Sequence, residues 1–312
     1  MDTKPNLQEL FENRLSYPDP DAQDRLSRLV GLDQQTERLS KMLGLLVNPA
    51  GLKVWAKKHH PDAMEMVGVV LRRPPLVILA GDVGSGKTEL AETIGDAVAR
   101  EQRLHVMLLP LSLSTRGQGR VGEMTRLIST AFEVTIEEAR KLRAKNGDAR
   151  GAVILLVDEA DALAQSREAA QMHHEDRAGV NAFIRGIDRI ANGQLPAAVI
   201  MCTNRLTALD PAVRRRAADV LLFERPDNER RRDVLARFLS PLKFTRQQVD
   251  AIVEATGANK DRGYGFTFSD IVQRLLPALV LSAYPSTAVD PGGALEIARS
   301  MPPTPPFREE QP

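Results

Sequence analysis

Residues 81–88 read GDVGSGKT, in which Gly81, Gly86, Lys87 and Thr88 satisfy the spacing G-x-x-x-x-G-K-[ST]. The apolar run Leu76 to Ala80 leads into it and a helical pattern from Glu89 to Ala99 follows, so strand, loop and helix stand in the order that phosphate binding requires. Glycines let the backbone N–H groups of Asp82, Val83, Gly84, Ser85 and Gly86 wrap phosphate oxygens at a helix N-terminus. Lys87 supplies a point charge to the β- and γ-phosphates, Thr88 offers a hydroxyl to Mg²⁺, and Glu89 completes the nucleotide-binding stretch. At average residue frequencies, a chance match in a chain of this length is below roughly one in a hundred.

A second acidic element reads VILLVDEADAL, Val153 to Leu163. Two carboxylates at the end of an apolar strand lie where parallel sheets bind ligands. Asp158 is the candidate Mg²⁺ holder and Glu159 the candidate base that orients and polarises the water attacking a γ-phosphate. VIMCTNR places Asn204 at the end of the next strand, where its amide can hold the same water. About ten residues on, LDPAVRRRAAD presents Arg214, Arg215 and Arg216, guanidiniums of the type that stabilise charge on a transferring phosphoryl group.

A third glycine cluster, GQGRVG at 117–122, spells the G-x-G-x-x-G of a dinucleotide turn. It fails as one. Seven residues, Pro110 to Arg116, separate it from the run Leu104 to Leu109, whereas a true dinucleotide turn follows its strand directly. The acids about 15 residues on, Glu137 and Glu138, fall in a helical pattern instead of at a strand end.

Positioning these groups needs a sheet. Five short β-rich runs, Leu76 to Ala80, Leu104 to Leu109, Val153 to Val157, Ala198 to Cys202 and Val220 to Phe223, alternate with helical patterns. That alternation predicts an α/β sandwich with a five-stranded parallel sheet. Val180, Phe183, Ile184, Ile187 and Ile190 recur at helical spacing and predict one buried stripe. After Pro226 the pattern is helical only, with helices expected near Asn228 to Leu239, Arg246 to Ala255 and Ser269 to Ala283, a small all-α lid. The Pro-rich end, Met301 to Pro312, is not expected to pack.

The net charge of +1 carries no global signal for nucleic acid or an acidic membrane. One cysteine, Cys202, excludes an intramolecular disulfide and fits a buried strand position in a reducing compartment. The N-terminus has acids where a secretion signal needs a basic start, and no stretch approaches 18 uninterrupted apolar residues. These features predict a soluble, cytoplasmic protein.

The combined spacings resemble the AAA+ ATPases. VGLDQQTERL (Val30 to Leu39) is similar to the stretch, here including Gly31, that touches adenine; GDVGSGKT and LLVDEAD resemble the Walker motifs, CTN the first sensor and LDPAVRRRAAD the arginine-finger region. The resemblance covers about residues 30–285 and implies ATP and Mg²⁺ as cofactors and a ring, typically a homo-hexamer, in which Arg216 or, second, Arg215 reaches a neighbouring subunit's ATP. It divides the chain into a short N-terminal segment at 1–29 without an adaptor domain, a nucleotide-binding domain at 30–225, a lid at 226–285 and an extension at 286–312. VNAFIRGIDRI and RLLPALVLSAY resemble the pachytene checkpoint group, which implies a HORMA-domain protein as substrate and, by analogy with compact bacterial members, a part in cyclic-oligonucleotide anti-phage defence. Ser269, Asp270 and Ile271 stand where those relatives carry a sensor arginine, and Arg274 lies one turn later. In the same register RVGEMTRLISTAF takes the place of the first pore loop, with Arg120 and Val121 as substrate contacts.

Two other readings stay open on the sequence. A DNA-associated AAA+ ATPase would use the cluster Arg225 and Arg230 to Arg232, although these alternate with Asp227, Glu229 and Asp233 as on a salt-bridged helix face. A nucleotide-gated scaffold would bind ATP without turnover, and it needs neither Glu159 nor the arginines.

Overall fold

The computed structural model describes residues 10–11, 13–112, 123–144, 149–163, 174–259 and 262–306. These fall into two compact units. One holds the chain up to Ser27, Gln35–Ala80 and Thr88–Leu222; the other holds Arg28–Gln34, Gly81–Lys87 and the chain from Phe223 on. The phosphate loop Gly81–Lys87 and the segment Arg28–Gln34 group with the helical C-terminal part.

In the first unit the strands are β1 (Leu15–Tyr17), β2 (Leu76–Gly81), β3 (His105–Ser112), β4 (Gly151–Asp158), β5 (Ala197–Thr203) and β6 (Ala217–Phe223), in the spatial order β1-β3-β4-β5-β2-β6. Strands β3, β4, β5 and β2 pair in parallel, with Leu108 opposite Ile154, Leu155 opposite Val199 and Ala80 opposite Thr203. The five expected runs are all strands, and the α/β class holds. The expected five-stranded parallel sheet is corrected to a mixed sheet of six, because β1 pairs antiparallel with β3. Three residues are too short to show alternation, and what seats the strand is Tyr17, 2% exposed. A Cβ on Gly95 would lie 2.4 Å from the Tyr17 ring.

Strand β3 also runs three residues past the expected Leu109. Pro110 sits beyond Leu108, where pairing with β1 ends, so a residue without an N–H is tolerated on that side.

Helices cover the sheet. Among them are α1 (Pro20–Ser27), α2 (Asp33–Val47), α3 (Pro49–His59), α4 (Met64–Leu71), α5 (Lys87–Gln102), α6 (Glu123–Lys141) and α7 (His174–Gly193). The last two pack on each other, α6 against β4 and α7 against β5. The stripe Val180, Phe183, Ile187 and Ile190 is buried there with Ile184 half-buried, and Phe183 meets Phe132 edge-on at 5.4 Å. Gly186 makes this approach feasible, since a Cβ there would come within 2.2 Å of the Phe132 ring. Cys202 is buried in β5 as expected.

A one-turn helix, α8 (Pro211–Arg214), joins β5 to β6. The second unit carries α9 (Asn228–Leu239), α10 (Arg246–Ala255), α11 (Leu276–Ala283) and α12 (Pro291–Ser300). Asp227 caps α9 by accepting from the Arg230 N–H, and Thr245 forms a reciprocal capping box with Gln248 on α10, which satisfies N–H groups that a helix start leaves unpaired. The expected helix 269–283 is present, but Asp270–Leu275 is wound as a π-helix ahead of α11. Its core is Val234, Leu235, Leu239, Ile252, Phe266, Ile271 and Leu275, joined by Ala294 and Ala298 of α12. The described part of the Pro-rich end, up to residue 306, packs contrary to expectation: Pro303 is buried and Thr304 is hydrogen-bonded to Asp270, while residues 307–312 lie outside the described residues.

Candidate functional site

Strand β2 is buried from Leu76 through Ala80 and ends at Gly81 with φ +153°. A Cβ at Gly81 would lie 1.9 Å from the Phe223 carbonyl oxygen, so only glycine can end this strand. Gly84 (φ +72°) and Gly86 (φ +92°) hold the left-handed turns that follow. Lys87 opens α5 and is 7% exposed; its Nζ donates to the carbonyls of Gly81 (2.9 Å) and Asp82 (2.7 Å) and to Ser85 Oγ (3.3 Å). The loop thus draws an ammonium against its own backbone at a helix N-terminus, next to the exposed Thr88. Left-handed glycines, a buried cation and a helix start form a cradle that fits a polyphosphate.

Three neighbours fix this loop within its unit. Arg225 Nε donates to Asp82 Oδ2 at 2.6 Å, its Nη1 donates to the Gly265 carbonyl at 2.7 Å, and its guanidinium lies 5.0 Å from the Tyr264 ring centre. The Ser269 N–H donates to the Gly84 carbonyl at 3.1 Å. Leu32 sits 2.8 Å from where a Cβ on Gly86 would stand, and the Phe268 ring lies 3.3 Å from the Cβ position of Gly31 (φ +79°). Leu32, within the stretch Val30 to Leu39 whose resemblance implies an adenine contact, therefore lies beside the phosphate loop. In the sequence Arg225 is one of several basic residues without a local signal, because its partners are 143 and 40 residues away in the chain. Glu89 is held by Arg25, at 2.7 and 2.9 Å, so its carboxylate is committed to an ion pair.

A further group of candidate residues lies at the carboxyl edge of β4 and β5. Asp158, half-buried, ends β4 and accepts from the Glu159 N–H at 2.8 Å. Glu159 is exposed and sits at φ +51°, a conformation that costs a non-glycine residue about 1–3 kcal/mol and is found at functional positions. Asp161 then reaches the end of β5: it accepts from Thr203 Oγ1 (2.6 Å), Asn204 N (3.0 Å), Asn204 Nδ2 (3.0 Å) and Arg205 N (3.2 Å). Asn204 is thereby fixed by both backbone and amide. Asp161 is thus a further candidate residue, with one sequence signal, the second aspartate of DEAD three residues after Asp158.

The three arginines differ. Asp210 caps α8 through the Ala212 N–H. Arg214 and Arg215 are exposed. Arg216 pairs with Asp188, Nε to Oδ1 at 2.8 Å and Nη2 to Oδ2 at 3.0 Å, and this pairing raises its pKa further above the ordinary guanidinium value. Arg231 is buried and donates to the Pro226 carbonyl at 2.6 Å, and Arg232 pairs with Asp250. Two of the three arginines at 230–232 are thus committed inside the unit, which weakens a basic DNA-facing patch. Arg274 pairs with Asp270 at 2.8 Å. Arg120 and Val121 lie outside the described residues. Among the described residues no helix is long and apolar enough to cross a membrane.

Residues 77–225 match the AAA family, the ATPase family associated with various cellular activities. The chain is 64% identical over 311 residues to CD-NTase-associated protein 6 of Escherichia coli strain MS 115-1, covering 100% of each chain. It is similar to a chain in the solved structure of the E. coli MS115-1 HORMA:CdnC:Trip13 complex, with 63% identity, TM-score 0.91 and 98% and 100% of the two chains covered. It is also similar to the structure of Rhizobiales Trip13, with 56% identity, TM-score 0.76 and coverage of 95% and 100%. The chain therefore belongs to the AAA ATPases, in their bacterial Trip13-like group, and is an ATP-hydrolysing enzyme.

Proposed function

We propose that this ATPase works as a homo-hexameric ring that engages a HORMA-domain protein and partly unfolds or disassembles it, with a role in cyclic-oligonucleotide anti-phage defence. The observation that carries the chemical part is the parallel register of β4, β5 and β2. It sets Ala80, from which the phosphate loop departs, opposite Thr203, and it ends β4 at Asp158 on the same edge. The partner rests on relatives: a chain 63% identical over nearly its full length occurs in a complex with HORMA and CdnC, and the 64% identical relative is a CD-NTase-associated protein.

In this reading Lys87 and the N–H groups of residues 82–86 bind the phosphates, with Thr88 and Asp158 as the Mg²⁺ holders. Bound Mg²⁺ supplies charge neutralisation of the phosphates. Glu159 accepts a proton from the attacking water, and Asn204, held by Asp161, orients that water. Arg215, exposed, and Arg216, steadied by Asp188, are the residues presented to the next subunit. Residues 120 and 121 contact the protein substrate.

The test is ATPase rate with the HORMA protein of the E. coli complex or with duplex DNA added. Several-fold stimulation by the HORMA protein and none by DNA is expected. Stimulation by DNA alone would replace this partner class with nucleic acid.

A further inference from the structure

Asp270 has no solvent exposure, and a buried carboxylate is tolerated only where its oxygens are hydrogen-bonded. It accepts four hydrogen bonds. Oδ2 takes the N–H of Thr267 (3.0 Å) and the N–H of Thr304 (3.0 Å); Oδ1 takes Arg274 Nη1 (2.8 Å) and the hydroxyl of Thr304 (2.6 Å). Two of the four come from a residue 34 positions further along the chain. Helix α12, seated by Ala294 and Ala298 on the helical core, returns the chain to this point, and Pro303 is buried just before the contact.

The other side of Asp270 faces the phosphate loop through one turn of backbone. Its N–H donates to Thr267 Oγ1 at 3.0 Å, closing a reciprocal cap over residues 267–270. That turn lies directly on the loop. The Ser269 N–H donates to the Gly84 carbonyl, and a Cβ on Gly84 would stand 2.8 Å from Ser269 Cβ and 2.9 Å from Thr267 Oγ1. The helix that starts there is π-wound over Asp270–Leu275, a geometry common near functional sites. The loop's middle glycine is thus placed by the turn, the turn by Asp270, and Asp270 by Thr304.

We infer that Thr304 is a positioning residue for ATP binding: through Asp270 it holds the 267–269 turn against Gly84 and so sets the phosphate loop. This inference rests on the assignment of residues 81–88 to the phosphates of ATP. It gives the segment after α12 a function distant in sequence from every nucleotide-binding motif.

Thr304→Val in the full chain removes the hydroxyl donor and leaves the backbone bond. The dissociation constant for ADP, read by displacement of a fluorescent ADP analogue, is expected to rise about tenfold, which corresponds to ~1.4 kcal/mol, and KM for ATP to rise with it. The kcat should change less than about twofold, and Thr304→Ser should restore both constants. An unchanged dissociation constant accompanied by a lower Tm, or no recovery in Thr304→Ser, overturns the proposal. Should Thr304→Val not fold, Thr304→Ala is read in the same assays; failure of both to fold also overturns it, because the contact then serves the fold as a whole. Lys87→Ala run in parallel separates the two assumptions. If it binds ADP as tightly as the parent chain, the phosphate-loop assignment falls; if it loses binding while Thr304→Val does not, only the role of Thr304 falls.

Discussion

Asp161 accepts from Thr203, Asn204 and Arg205, so one carboxylate ties the turn after β4 to the end of β5. Its partners include two backbone N–H groups, and a donor of that kind leaves no trace in residue type. Glu159, by contrast, was legible because an acid at the end of an apolar strand is itself the motif. The left-handed φ of Glu159 was not legible, since nothing in its side chain demands it. If Asp161 places Asn204, Asp161→Ala should lower kcat by on the order of 10²-fold, the cost of a misplacement near 1 Å. Nucleotide affinity should barely move, since the phosphate loop is built elsewhere in the chain. Steady-state ATPase assays with parallel ADP titration check this; an unaltered kcat would show that Asn204 is held without Asp161.

At the level of elements, Asp270 opens the π-wound segment ahead of α11. Burial alone would raise this carboxyl, but hydrogen bonds from Thr304, from the Thr267 N–H and from Arg274 outweigh burial and hold its pKa below the ordinary value. A carboxyl depressed in the folded state adds stability at pH values above its unfolded pKa, near ~3.9, and that share is lost as pH falls through the lower folded value. Thermal melts should therefore show Tm declining on acidification below about pH 4, with Asp270→Asn less stable at neutral pH and flatter on the acid side. Parallel Tm profiles for the two proteins would show that Asp270 does not carry the effect.

Legibility at this level followed the range of the interactions. Helices 228–239 and 246–255 were readable because their caps, Asp227 and Thr245, lie within three residues of the N–H groups they satisfy. The core strands β2 to β5 were readable as continuous apolar runs because both faces are buried. Strand β1 was not, since Tyr17 and Gly95 meet only in the folded chain. Helix α12 was missed because Pro291, Gly292 and Gly293 begin it, and two glycines read as a turn. The packing of Thr304 was missed because composition alone marks a Pro-rich segment as unstructured.

At the scale of the whole molecule, the net charge of +1 and the internal pairing of Arg231 and Arg232 give no support to the nucleic-acid alternative to the proposed protein partner. Nearly full-length similarity to a chain of a HORMA:CdnC:Trip13 complex points the same way. In the proposed function, hydrolysis at Glu159 drives a change in a HORMA-domain protein. The most direct measurement is amide hydrogen exchange in the HORMA protein of the E. coli complex, incubated with ATP and either the parent chain or Glu159→Gln. The parent chain should accelerate exchange in the HORMA protein only while ATP is turned over, and Glu159→Gln should bind ATP and the HORMA protein without accelerating it. Equal acceleration by Glu159→Gln, or none by the parent chain during active hydrolysis, would show that hydrolysis at Glu159 does not drive the change.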